Sequence, residues 1–184
     1  MGAVPTPSSD IVTINDEGWA RVLASNRAYL AETSPVYDEV LNQVSERVRV
    51  TGDIGKADIG ALLLWKRLRA DTPWVSHLMA TPDVTVRETT ARAVSIVNDL
   101  SRSTPEAAGL ARGQLSSLPG FHKGDALASA LLLAAAPRRM AIYDRRAQTG
   151  LGMLGLELSA APGRYRRYMV HVESIRNTAL VHGV

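Results

Sequence analysis

Four times this chain sets a hydroxyl residue directly before a proline: Ser34-Pro35, Thr72-Pro73, Thr81-Pro82 and Thr104-Pro105. A hydroxyl at the cap position satisfies a free backbone N–H, and proline at the first helical position has no N–H to lose. Each pair is therefore expected to open a helix. After the third, Val84, Ala91, Val94, Val97 and Leu100 recur near the 3.6-residue period while Arg87, Glu88 and Arg92 face away. The same periodicity predicts helices over Glu17–Glu32, Val36–Arg49, Ala57–Arg69, Glu106–Ser117, Lys123–Ala136, Arg145–Leu156 and Arg164–Val181. The β-branched stretches Ile11–Ile14 and Val48–Thr51 have no evident pairing partner and are not read as strands. The expected fold class is all-α, with about eight or nine short helices.

A chain of 184 residues with 46% hydrophobic and 21% charged residues can bury one core. The expectation is a flexible arm over residues 1–9 and a single helical domain over 10–184. There are no cysteines, which excludes disulfides, cysteine-rich zinc sites, iron–sulfur clusters and thiol nucleophiles. The N-terminal residues lack the basic start and apolar run of a secretory signal. No segment approaches the ~20 apolar residues of a membrane span, so a cytoplasmic protein without a membrane partner is expected.

The four histidines, His77, His122, His171 and His182, lack the one-turn spacing and acidic company of a helical metal site, and no metal is expected. Neither a phosphate-binding loop nor a hydrolase serine elbow occurs, so nucleotide hydrolysis and acyl transfer lack support and no cofactor is implied. The formal charge of +3 permits a nucleic-acid partner through clustering: Lys66-Arg67-Arg69, Arg138-Arg139, Arg145-Arg146 and Arg164-Arg166-Arg167. Each cluster also reads as an ordinary solvated helix face.

One stretch combines these features: LPGFHKGDALASALLLAAAPRRMAIYDRRA, from Leu118 to Ala147. Leu118-Pro119-Gly120 ends one helix, and Gly124 lets the backbone turn closely before the next. A glycine turn beside free helix N–H groups suits an anionic oxygen and needs no particular base sequence, as for a nucleic-acid backbone.

SLPGFHKGDALASALLL and PRRMAIYDRRA together resemble the helix-hairpin-helix DNA glycosylases, in particular bacterial proteins with the 8-oxoguanine glycosylase fold. GKADIGALLLWKRLR followed by VTVRETTARAV is similar to a helix pair ahead of the hairpin in that family. The resemblance spans about residues 55–151. It implies a two-lobed helical bundle with a helix-hairpin-helix and a cleft, into which a modified base is flipped out of duplex DNA. It makes Asp144 the catalytic carboxylate, stabilising positive charge on the sugar or activating a water or amine.

It also implies DNA contacts from Gly120, Phe121, His122 and Gly124 in the turn and from Arg145 and Arg146 after the aspartate. Lys123 is a candidate nucleophile, although the family's turn glycines lie two apart and Gly120 and Gly124 lie four apart. Lys123 also suits phosphate contact or simple exposure. Trp74 and Tyr143, close to turns, are candidates to stack on a flipped base. Packing competes for both, and Trp65, Tyr165 and Tyr168 read as core. Asp144 before Arg145-Arg146-Ala147 also reads as a plain helix cap, a role compatible with catalysis. The alternative to an enzyme is a non-catalytic helical module that binds DNA or protein on the same scaffold.

Overall fold

The computed structural model describes residues 14–34 and 36–181, and the expected arm over residues 1–9 lies outside them. Nine α-helices occur among the described residues, and no strand: α1 (Asp16–Glu32), α2 (Glu39–Thr51), α3 (Lys56–Trp65), α4 (Pro73–Ala80), α5 (Asp83–Asn98), α6 (Thr104–Leu115), α7 (Ala126–Ala135), α8 (Arg145–Met153) and α9 (Arg164–Val181). The chain is an all-α bundle, as the periodicity predicts.

The centre is α7. Its sequence carries no charge, and Leu127, Ala128, Ser129, Ala130, Leu131, Leu132 and Ala134 are all buried. A helix apolar on every side must be surrounded, and α7 is packed by α2, α3, α5 and α6. The most extensive contacts run from α5 to α6 and from α6 to α9. Small residues on α6, Ala107, Ala108 and Ala111, are fully buried there and let the helices approach closely. By contrast α1 lies at the periphery, its buried Gly18 set against Ile14 and Leu154.

Several sequence expectations shift in detail. Of the hydroxyl–proline pairs, Thr72-Pro73 gives a cap position followed by proline, but the Thr72 hydroxyl accepts from no helix N–H, and Ser103 rather than Thr104 caps α6, accepting from the Glu106 N–H. Pro82 itself occupies the cap position of α5. Pro35 lies outside the described residues, and a turn separates Ser34 from α2. The inner stripe of α5 is Val86, Thr90, Ala93, Val94 and Val97, while Val84 and Leu100 are exposed. Thr90 hides the true phase because it is polar and fully buried. Its hydroxyl accepts from the Ile54 N–H and faces the Ile54 carbonyl, both at 2.9 Å, which satisfies it. Arg87, expected to face away, folds onto Asp83 and Asp53.

The helix predicted over Ala57–Arg69 stops at Trp65, because Arg67 adopts a left-handed φ of 51°. Lys66 becomes the last residue of the turn and is free to point elsewhere. Likewise α7 begins at Ala126 rather than Lys123, since Gly124 has φ 73°. Lys123 therefore belongs to the loop.

Candidate functional site

The chain leaves the far end of α7 through a turn over residues 137–139, and an extended segment, residues 140–144, runs back along the helix. Ser129, one turn into α7, fixes its return. The Ser129 hydroxyl accepts from the Tyr143 N–H at 3.0 Å and lies 3.3 Å from the Tyr143 carbonyl. Asp144 is thereby delivered to the end of α7 where the hairpin sits.

The other side of the segment is held by α9. Arg176 donates to the Arg139 and Met140 carbonyls, Tyr165 to the Ala141 carbonyl at 2.9 Å and Tyr168 to the Ile142 carbonyl at 2.7 Å. Every carbonyl from Arg139 to Ile142 thus has a side-chain donor on α9, while the one Ser129 hydroxyl proton has its shorter acceptor in the Ala126 carbonyl at 2.9 Å. A buried extended backbone has no helix or sheet to satisfy it, so these donors are what make it stable there. Tyr165 and Tyr168 are buried as expected from the stripe on the last helix. Burial first, then the nearby Asp144 charge, pushes the Tyr168 hydroxyl up to about 12, so it remains a neutral donor.

Asp144 caps α8, its Oδ1 accepting from the Ala147 N–H at 2.9 Å. Its Oδ2 accepts from Lys66 Nζ at 2.8 Å. Partial burial pushes the carboxyl upward, but Lys66 and the N–H groups of Ala147 and Arg146 outweigh it and hold the group below the usual aspartate range. The carboxylate is ionised, oriented and still 28% exposed at its side chain. Such a group can stabilise a developing cation or accept a proton. Arg145 and Arg146 are exposed in the first turn of α8 and have no hydrogen-bond or ion-pair partner for their guanidinium groups among the described residues. Cations at a helix N-terminus oppose the helix dipole. Their position suits an external anion better than the fold itself.

The hairpin between α6 and α7 is closed by Arg112, which binds Asp125 Oδ1 at 2.6 Å and the Gly124 carbonyl at 2.8 Å. Asp125 is thus engaged with Arg112 and leaves the start of α7 without a side-chain cap. Gly120 has φ 89°, and an added Cβ would lie 2.3 Å from the Trp74 ring. Glycine is required there twice over. Trp74, a candidate base-stacking ring, therefore packs on the hairpin at Gly120. Phe121 is buried, whereas His122, Lys123 and Gly124 are exposed. The His122 ring contacts the Ser116 carbonyl at 3.0 Å through Nδ1. A cleft of about 380 Å³ lies between the hairpin and the start of α9, lined by His122, Gly124, Arg112, Arg164 and Arg166 among others.

Tyr143 adjoins Asp144 in sequence, but its ring is buried edge-on against Tyr168 at 5.1 Å and its hydroxyl donates to Gln148. Lys66 is the site residue that sequence reasoning placed only within a basic cluster. It lies 78 positions from Asp144, and no local pattern announces the pairing. The one sequence signal was the cluster Lys66-Arg67-Arg69 beside Trp65, over whose ring Lys66 Nζ lies at 5.7 Å.

No group of three or more His, Asp or Glu residues suited to a metal occurs among the described residues, and no helix there is long and apolar enough to cross a membrane. Comparison of the chain with protein-family models, with curated proteins and with solved structures finds no match.

Proposed function

We propose that this protein binds duplex DNA and acts on a modified base flipped from the stack, with Asp144 as the carboxylate at the sugar. The observation that carries the reading is the placement of Asp144. An ionised carboxylate is held at the hairpin end of α7 by a segment whose carbonyls from Arg139 to Ile142 accept from side chains of α9, and it is flanked by exposed Arg145 and Arg146. Loss of a base leaves positive charge on the sugar, and a fixed, partly desolvated anion stabilises it. The exposed hairpin and the two arginines supply contacts to phosphates on either side of an extruded nucleotide.

Duplex affinity across a salt series tests the DNA partner. Backbone contacts predict affinity falling steeply as salt rises, with a shallower slope for Arg145→Ala/Arg146→Ala. Absence of duplex binding at low salt contradicts the reading. Duplex binding without release of any modified base favours the second reading, a non-catalytic DNA-binding module. That reading is supported by the packing of Tyr143, whose ring is buried against Tyr168 and is not free to stack on a base beside Asp144.

A further inference from the structure

Towards the end of α7 three leucines, Leu131 to Leu133, give way to three alanines, Ala134 to Ala136. The helix stays apolar, but its side chains become short. On either side α2 and α5 pack on α7 without packing extensively on each other. The alanines are too small to fill the space between them, and a cavity of about 620 Å³ remains at this end of the helix. Small-molecule sites are of roughly 300–1,000 Å³. Val48 from α2, Val94 from α5 and the three alanines supply an apolar lining. Leu100 also lines it and is 82% exposed, so apolar surface there is uncovered and gains from an occupant.

The charges around the cavity do not cancel. Of the charged lining residues Glu46 is acidic, whereas Arg49, Arg138 and Arg139 are basic. Arg49 is bound to Glu46 by two hydrogen bonds of 2.9 and 2.6 Å. Arg139 donates to the Val97, Asp99 and Arg102 carbonyls. Arg138, in the turn that closes one end, is exposed and has no hydrogen-bond or ion-pair partner among the described residues. Helix C-termini carry partial negative charge and oppose an anion, but here their carbonyls are engaged. Arg139 takes those of Val97 and Asp99 at the end of α5, and Asn98 takes that of Ala135 at the end of α7. Arg138 is left with a charge that the fold does not use.

We propose that this cavity binds a small amphipathic carboxylate, with its apolar chain along Val48, Val94 and the alanines and its head on Arg138. A planar guanidinium matches a carboxylate with two parallel hydrogen bonds, and the apolar lining accepts the chain without leaving a polar group unpaired. The site lies at the end of α7 away from Asp144. The ten residues of the helix set the two about 15 Å apart, and the proposal does not depend on action on DNA.

The test follows the full chain by NMR as decanoate is added below its micelle concentration, with decanol and decyltrimethylammonium as parallel probes. Saturable binding of decanoate is expected, with shifts concentrated on the methyl groups of Val48, Val94, Leu100 and Ala135. Arg138→Ala is expected to weaken decanoate by about 10-fold or more and to leave decanol little changed. Ala135→Trp, which puts an indole into the space, is expected to abolish saturable binding. Absence of saturable decanoate binding overturns the proposal. So do shifts that fall on other surfaces, equal or tighter binding of decanol or decyltrimethylammonium, and undiminished binding by Arg138→Ala. The shift map and the three probes on the wild-type chain give the answer even if Ala135→Trp fails to fold.

Discussion

The Ser129 hydroxyl accepts from the Tyr143 N–H at 3.0 Å and lies 3.3 Å from the Tyr143 carbonyl, coupling the core helix directly to the residue before Asp144. Both residues are buried. Ser129→Ala leaves the Tyr143 N–H without its partner in the interior, at a cost of about 1–3 kcal/mol. The measurement is the shift in denaturant midpoint, and a shift near zero would mean that water or a backbone movement replaces the hydroxyl.

Lys66 counteracts the burial of the Asp144 carboxyl. Because the folded value lies below the unfolded one, near about 4, this group stabilises the fold above the unfolded value. That contribution is lost as pH falls through the folded value. Lys66→Met removes the hydrogen bond and the charge and leaves burial less opposed. The carboxyl carbon of Asp144, followed by NMR across an acid titration, is expected to titrate at higher pH in Lys66→Met than in the wild type. An unchanged midpoint would show that the helix N–H groups alone set it.

Tyr168 titrates the opposite way. Its folded value of about 12 exceeds the ordinary tyrosine value near about 10. Its contribution to stability is therefore complete below the unfolded value and is lost as pH rises toward the folded one. Tyr168→Phe is expected to leave tyrosinate absorbance unchanged at pH 10, since the residue it removes is still neutral there. A drop in absorbance would show that the hydroxyl is not held by the Ile142 carbonyl.

Gly120 tests the hairpin. Gly120→Ala forces a left-handed φ on alanine and drives its methyl into the Trp74 ring, so a loss of more than about 1 kcal/mol is expected. The Trp74→Ala background relieves the clash but not the backbone strain. A double-mutant cycle is expected to show coupling between the two positions, and strict additivity would mean that the ring does not touch the turn.

Much of this architecture could be read from residue order. The 3.6-residue periodicity located the helices, the tyrosine stripe marked the inner face of α9, and Asp144 announced itself as a cap. What could not be read depends on contacts between distant segments. The phase of α5 was obscured because Thr90 is buried against Ile54, a partner 36 positions away. The early stop of α3 turns on one left-handed residue, Arg67, that carries no glycine signal. The hold of α9 on the extended segment was equally silent, because Arg176 looks like any solvated arginine until its carbonyl partners are known. Lys66 belongs to the same group: its role exists only once α3 and α8 are adjacent.

The most direct measurement of the central claim is release of free base from duplexes that each carry one modified base, with wild type and Asp144→Asn compared side by side. Asparagine still caps a helix well, so the variant keeps the start of α8 while losing the negative charge. The expected result is base release from at least one duplex by the wild type, reduced by about 10²-fold or more in Asp144→Asn, with duplex affinity retained. Release that persists undiminished in Asp144→Asn, or no release from any duplex by the wild type, would contradict the account.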